Sequence, residues 1–346
     1  MAVFNQVEFD NHEQVVFCSD EKSGLKAIIA VHSTALGPAV GGCRLWNYAS
    51  DEDAVTDVLR LSKGMTYKNA VARLPFGGGK SVIIGDAKTI KSEALFRAFG
   101  RHLERLGGSY YSAEDVNITT GDVMVMHKET NYVLGLEGKS GNPSPFTALG
   151  TFLGIKAAMK HKHGHEDLKG IKVAVQGLGA VAYGLCKHLH KAGAELFVTD
   201  INQASIDRVV TEFGATAVGI DEIYDLDVDV YAPCALGATV NDNTIPRIKA
   251  KIIAGCANNQ LAKSRHGDVL RDNGVLYAPD YVINAGGIIN VYYETKPEGY
   301  NEAAATKHVE GIYDTLLEIF KRADEENKST HHIADELARE IIQNGL

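Results

Sequence analysis

Two lysines set among glycines and apolar residues, Lys68 and Lys80, are the side chains most suited to chemistry in this chain. The stretch runs Lys63-Gly-Met-Thr-Tyr-Lys68, continues to Pro75-Phe-Gly77-Gly78-Gly79-Lys80, and ends in the apolar run Val82-Ile83-Ile84. Glycine without a Cβ lets a ligand lie against the main chain, so Gly77 to Gly79 read as a turn that receives a small molecule, with Lys80 pointing into it. A lysine in apolar company near a second cation is suited to polarise a carbonyl or a water, while Lys68 stays charged and holds a carboxylate. The same run is also what an ordinary turn with a solvated lysine looks like, and it lacks Walker A spacing, so no P-loop is read. Further on, Glu114 and Asp115 follow a short strand over residues 110–113. Acids in a loop at a strand end are placed for proton transfer; the alternative is that Asp115 caps the next turn.

A second constellation lies downstream. A strand over residues 171–176 leads into Gly177-Leu-Gly179-Ala180-Val181-Ala182, then a helix, then a strand over 196–199 that ends in Asp200. This is the dinucleotide fingerprint in its required context: a tight glycine turn, a helix N-terminus for the pyrophosphate, and an acid roughly 20 residues on for the ribose hydroxyls. Ala182 takes the third glycine position, which the fingerprint permits. Asn258, Asn259 and Asn284 fall just beyond later strands, where such sheets bind ligands.

The elements that position these residues follow from periodicity. Residues 12–18 and 25–32 read as strands, and Gly37-Pro-Ala-Val40-Gly41-Gly42-Cys-Arg44 as a second glycine-rich loop. A helix begins near Ser50 with Asp51, Glu52 and Asp53 in its first turn, complementing the helix dipole. Ser144 and Pro145 open another helix as N-cap and first residue. Later β-like runs at 228–232, 252–255 and 275–278 alternate with helices and continue a doubly wound parallel sheet. The fold class is therefore α/β in two domains: residues 1–137, completed by a final helix from about 325 to 346, and a Rossmann-type domain over 138–324.

With 346 residues the chain can bury two cores, and its net charge of -9 argues against nucleic acid or an anionic membrane as partner. Neither a signal sequence nor a membrane-spanning run is read, so a cytoplasmic protein is expected. The five cysteines are scattered and indicate neither disulfides nor zinc. His161, His163 and His165 alternate in a charged loop without carboxylate or cysteine company, and no metal is expected.

With these residues in place, the chain resembles the leucine, phenylalanine, valine and glutamate dehydrogenase family, and is most similar to its leucine-type members. The matching pieces are Gly37-Pro-Ala-Val-Gly-Gly, Lys63-Gly-Met-Thr-Tyr-Lys-Asn, Gly77-Gly-Gly-Lys, Ala113-Glu-Asp115, Gly177-Leu-Gly-Ala-Val, Pro233-Cys-Ala-Leu-Gly237 and Ala257-Asn-Asn-Gln-Leu261. The resemblance implies a homo-oligomer with catalysis in a cleft between a substrate domain and an NAD domain. It implies that Lys68, Asn259 and the Gly41 backbone bind an amino-acid carboxylate, and that Thr147 and Asn258 hold the nicotinamide amide. Lys80 would polarise water and the developing carbonyl, and Asp115 would accept the amine proton. Glutamate-type members carry lysine and serine where this chain has Val40 and Val291, so glutamate is expected to be rejected. Ala113 and Val291 match a leucine-type aliphatic pocket, whereas Tyr292 and the paired Ile288-Ile289 could shape a wider one. The expectation is an NAD-dependent oxidative deaminase of leucine, valine and isoleucine, releasing 2-oxo acid and ammonia, with phenylalanine or tryptophan as alternative substrates. A non-catalytic nucleotide sensor is the rival of another class.

Overall fold

The computed structural model describes residues 3–346, and the chain divides into two compact units. Unit 1 comprises Met1–Gly141, Val291–Tyr300 and Ala338–Leu346; unit 2 comprises Asn142–Asn290 and Asn301–Leu337.

In unit 1 the order is β1 (Gln14–Asp20), β2 (Leu25–Ser33), β3 (Ala39–Trp46), α1 (Asp51–Val71), β4 (Gly77–Ile84), α2 (Ala87–Ile90), α3 (Glu93–Arg105), β5 (Tyr110–Ala113) and α4 (Thr120–His127). The sheet runs β1-β2-β4-β3-β5, with β3 parallel to both β4 and β5 and β2 antiparallel to its neighbours. Both faces are covered, so alternate residues enter different cores. Ile28, Ala30 and Val82 pack with Ala54, Val55, Val58 and Leu59 of α1. Ala27, Ile29, Val31 and Ile83 pack on the opposite face with Leu95, Phe96 and Phe99 of α3. Ser50 caps α1 by accepting from the Asp53 amide at 3.1 Å, with three acids in the first turn.

Two sequence expectations change here. Gly77, Gly78 and Gly79 form no turn; they open β4 and are buried along with Lys80. Gly37 to Arg44 is likewise mostly β3 rather than a loop. The reason is packing. A Cβ on Gly78 would overlap Thr66 of α1, one on Gly79 would run into the Tyr110 ring, and one on Gly41 would overlap the Gly79 carbonyl. The glycines bring helix and neighbouring strands onto the sheet backbone, a role that turn propensity does not reveal.

Unit 2 begins with α5 (Ser144–His163), then β6 (Lys172–Gln176), α6 (Ala180–Lys191), β7 (Glu195–Thr199), α7 (Gln203–Phe213), β8 (Thr216–Ala217), β9 (Val230–Pro233), β10 (Ile252–Ile253), α8 (Arg265–Asp272) and β11 (Leu276–Tyr277). It continues with α9 (Asp280–Ile283), α10 (Gly286–Tyr292), α11 (Glu302–Glu326) and α12 (Thr330–Asn344), of which α10 and α12 end on residues of unit 1. The sheet is wholly parallel in the order β11-β10-β9-β6-β7-β8, so the winding reverses between β6 and β9. That reversal is the place where a doubly wound sheet opens a ligand crevice. The N-cap of α5 is Pro143 without a side-chain bond; Ser144 is the first helical residue, its amide donating to Asn142 Oδ1 at 2.9 Å. No helix among the described residues is long and apolar enough to cross a membrane.

Gly78→Ala is expected to destabilise the protein by about 1 to 3 kcal/mol, the range for overfilling a closed core. Chemical denaturation measures it, and a midpoint equal to that of wild type would contradict the packing role.

Candidate active site

Lys80 stands on β4 between Gly78 and Val82, on the face that α1 covers. It is 6% exposed, and its Nζ lies 2.6 Å from Asp115 Oδ2. In the register that pairs Val40 with Gly78 and Cys43 with Ser81, Gly42 stands beside Lys80. On its other side Gly42 pairs with Ala113 of β5. A Cβ on Gly42 would overlap the Glu114 carbonyl and crowd Asp115 Cβ. The missing side chain therefore gives the loop after β5 room to close over β3, which lets the Asp115 carboxylate reach Lys80 on β4. Asp115 does not serve as a helix cap: Thr119 caps α4, in a capping box with Asp122.

The same Asp115 oxygen receives a second cation, Arg44 Nε at 3.3 Å. Arg44 Nη1 reaches Asp57 Oδ2 on α1 at 2.8 Å, and Tyr48 donates to that oxygen at 2.7 Å. Arg60 closes on Asp57 Oδ1 at 3.0 Å. Burial would raise the Asp115 carboxyl, but Lys80 and Arg44 outweigh it and hold the group below the ordinary carboxylate range. Burial likewise opposes ionisation of Asp57, and Tyr48 and Arg44 overcome it. Because Asp115 is depressed in the folded state, its pairing stabilises the fold at neutral pH and is lost on acidification through that lowered value. Arg44, Tyr48 and Asp57 are the part that sequence reasoning missed. The available signal was Arg44 itself, a cation two positions after Gly42 in a strand whose neighbours are buried.

The remaining unit 1 residues of interest are placed as follows. Gly41 faces Ser112 of β5 across the ladder, and its carbonyl accepts from Tyr110 Oη at 2.7 Å. Val40 is wholly buried, Val291 is 8% exposed, and Ala113 is half-buried. Lys68 occupies the last turn of α1, half-buried, next to Tyr67, whose hydroxyl accepts from Arg339 Nε at 3.1 Å.

In unit 2 the β6–α6 turn has Gly177 at φ 93°. A Cβ there would run into Ala235, so glycine is required on two counts. Gly179 precedes Ala180 and Val181, the first residues of α6, and that helix has no side-chain cap. Its leading amides are thus available to an anion. Asp200 does more than await a ribose: its Oδ2 accepts from Leu178 N at 2.6 Å and its Oδ1 from Asn202 N at 2.7 Å, tying β7 to the glycine turn. A concavity of about 670 Å³ is lined by Asn142, Leu178, Gly179, Ala180, Lys187 and Arg208, among others.

Asn284 ends α9 rather than a strand, and its amide donates to Asn258 Oδ1 at 2.7 Å and to the Cys256 carbonyl at 3.1 Å. Asn258 and Asn259 are exposed, with Asn259 at φ 52°. Thr147 lies on the first turn of α5, where a Cβ on Gly287 would come 2.9 Å from its Oγ1. Ile288 lies half-buried on α10. The buried Oδ1 of Asn284 and Oγ1 atoms of Thr199 and Thr239 have no hydrogen-bond partner in the protein. Thr199, whose carbonyl accepts from the Gly177 amide, puts an orphaned hydroxyl beside a glycine cradle and an uncapped helix, which fits a polar ligand such as a dinucleotide. His161 pairs with Asp324 at 3.0 Å and belongs to no ligand cluster among the described residues. Potential ligand atoms do converge on Asp268, His331 and His332, a grouping the sequence reading did not single out; there Ser329 already donates to Asp268 at 2.7 Å.

Comparison with known proteins agrees with this arrangement. Residues 12–136 match the family described as Glu/Leu/Phe/Val dehydrogenase, dimerisation domain, and residues 199–340 match Glutamate/Leucine/Phenylalanine/Valine dehydrogenase. The chain is 56% identical over 345 residues to a leucine dehydrogenase of Bacillus cereus, covering 99% of this chain and 94% of that protein. It is 50% identical over 345 residues to an L-tryptophan dehydrogenase of Nostoc punctiforme, covering 99% of this chain and 97% of that protein. The crystal structure of the Nostoc punctiforme L-tryptophan dehydrogenase superposes with a TM-score of 0.86, covering 96% of each chain. Matches of this extent to both halves of the sequence place the chain in the glutamate/leucine/phenylalanine/valine dehydrogenase family, as an amino-acid dehydrogenase.

Proposed function

We propose that the chain catalyses the reversible, NAD-dependent oxidative deamination of branched-chain aliphatic L-amino acids to 2-oxo acids and ammonia. The observation that carries this reading is the buried Lys80–Asp115 contact at 2.6 Å, a cation and a base set side by side in a sheet stripped to glycine. In this scheme Lys68, Asn259 and the Gly41 backbone bind the substrate carboxylate. Asp115 takes a proton from the substrate ammonium, freeing the nitrogen lone pair to drive hydride off Cα. NAD, when bound, would supply the acceptor for that hydride. Lys80 then polarises the water that adds to the iminium carbon and stabilises the oxygen as it becomes a carbonyl. Asp115, having passed the first proton to solvent, takes a proton from that water as it adds and gives it to the amine; the remaining hydroxyl proton passes to Asp115 as the carbonyl forms and ammonia leaves.

Residues 1–137 with the tail from about 325 to 346 would supply substrate and subunit contacts, and residues 138–324 the dinucleotide. Gly177, Gly179, Ala180 and Val181 would cradle the pyrophosphate, Thr147 and Asn258 would hold the nicotinamide amide, and Asn284 would be a further cofactor-binding residue. The chain would act as a homo-oligomer, in keeping with the dimerisation domain it matches. Asp200 disfavours a 2′-phosphate, and Ile201-Asn202-Gln203 offer no cation to receive one. Arg208 lines the same concavity, but it is held over the Tyr183 ring at 3.6 Å and paired with Glu212 at 3.1 Å.

Val40, Val291 and Ala113 support an aliphatic substrate. A second carboxylate buried against them without a partner would cost about 3 kcal/mol or more. Tryptophan or phenylalanine is the second reading, favoured by the 50% identity to the Nostoc punctiforme tryptophan enzyme. A panel of L-amino acids with NAD, followed by NADH absorbance, is expected to give the highest kcat/KM for leucine, valine or isoleucine and none for glutamate. A higher value for an aromatic amino acid would overturn the aliphatic assignment and leave the reaction standing.

Lys80→Ala and Asp115→Asn are each expected to lower kcat by about 100-fold or more, with native far-UV circular dichroism retained. Asp115 is held below the ordinary carboxylate range and is ionised throughout pH 7 to 10, so the loss in Asp115→Asn should be greatest at pH 7 and shrink toward pH 10, where free amine bypasses the base. Rates within a few-fold of wild type for either variant would sink the assignment.

Wild type is expected to prefer NAD over NADP, and Asp200→Ser to narrow that preference about tenfold or more. Equal efficiency of the two cofactors in wild type would remove Asp200 as the discriminating group.

A further inference from the structure

We propose that Arg44 is the positioning residue of the Asp115 carboxylate, a fixed counter-charge that keeps Asp115 oriented and ionised when Lys80 turns to the substrate. The inference rests on the roles proposed above for Lys80 and Asp115, and adds a residue that those roles require. Asp115 Oδ2 is shared between Lys80 at 2.6 Å and Arg44 at 3.3 Å. A lysine that polarises water and stabilises a developing carbonyl must direct its ammonium toward those atoms, which loosens its hold on Asp115. A mostly buried carboxylate left alone would be protonated or would rotate away. Arg44 prevents both, since a guanidinium does not give up its proton and its planar fork has a fixed geometry.

The guanidinium is itself anchored. While Nε points at Asp115, Nη1 is held by Asp57 at 2.8 Å, and Asp57 is 12% exposed. Tyr48 and Arg60 complete the anchor by donating to Asp57 at 2.7 and 3.0 Å. Arg44 comes from β3, Asp57 and Arg60 from α1, Lys80 from β4 and Asp115 from the loop after β5, so the bridge spans every element that meets at this point. The charged groups facing Asp115 are Lys80 and Arg44, with Asp57 and Arg60 behind Arg44. The thiol of Cys43 and the phenol of Tyr110, both within the sheet, also feel its charge.

The test uses the full-length protein with Arg44→Gln, which removes the charge, and Arg44→Lys, which keeps it. The carboxyl carbon of Asp115 is followed by ¹³C NMR in aspartate-labelled protein, assigned by its absence in Asp115→Asn. In Arg44→Gln the Asp115 resonance is expected to titrate about one pH unit higher than in wild type, and in Arg44→Lys close to wild type. In parallel, the acidic limb of kcat/KM should move upward in Arg44→Gln and largely return in Arg44→Lys. A purely structural role for Arg44 would lower rates without moving either titration, and unchanged titrations would overturn the proposal. Should Arg44→Gln not fold, Asp57→Asn provides the same readout: freeing the anchor should disperse or shift the Asp115 titration, and an unaltered one counts against the bridge. The NMR readout is independent of turnover, so a shifted resonance together with a fully active Asp115→Asn would uphold Arg44 and refute the base assigned to Asp115.

Discussion

A buried ammonium has to be met by a negative charge, and the Lys80–Asp115 pair is how this chain satisfies that requirement. Lys80 lies in the middle of a covered sheet and is only 6% exposed. Its partner comes from two strands away, so everything between them has to be cleared. Gly42 on the intervening strand does this: any side chain there would collide with the loop that carries Asp115. Gly78 and Gly79 do the same for α1 and Tyr110, pressing helix and ring onto the strand that holds the lysine. Gly42 is thus a consequence of placing one charge inside a sheet.

The charge balance does not end with one pair. Arg44 adds a second cation at Asp115, and Asp57 offsets it from α1, so two anions and two cations alternate through the interior before reaching solvent at Arg60. Each member is strongly paired, and the carboxylates stay ionised although burial works against both. Unit 2 solves a different problem, the exposure of main-chain donors to an anion. Gly177 turns the chain with a positive φ, and Asp200 ties that turn to the adjacent strand. Backbone in the left-handed region recurs in unit 2 at Ala238 and Asn259, where the Ala238 amide donates to the Asn259 carbonyl at 2.7 Å. Such conformations for non-glycine residues persist where the surrounding structure over-determines them, which is common at ligand sites.

Much of the secondary structure could be read from the chain because its signals are local. Ser50 and the acids after it start α1 where the capping rule places them, and the strands β6 and β7 lie within a residue of their expected bounds with a helix between them. Where local chemistry and tertiary packing conflict, the local reading failed. Three glycines before Lys80 look like a turn because glycine is free to turn, yet they extend a central strand because only glycine fits under α1. Ser144 looks like a helix cap, but Asn142 supplies the oxygen and the helix takes Ser144 in.

By itself, the sequence determined the two-part α/β character and the glycine turn with its acid, and it singled out Lys68, Lys80 and Asp115 as residue types suited to binding a carboxylate, polarising water and moving a proton. These are properties of residue type and of spacing along the chain. The tertiary structure alone decided that Lys80 is buried and ion-paired, that Asp200 is engaged with the backbone of its own glycine turn, and that Arg44 joins Asp115 to Asp57. The physical reason is that charge pairing acts through space at about 3 Å. Arg44 and Asp115 are far apart in sequence and become neighbours only when β3, β4 and β5 lie side by side, a register that residue types do not encode locally.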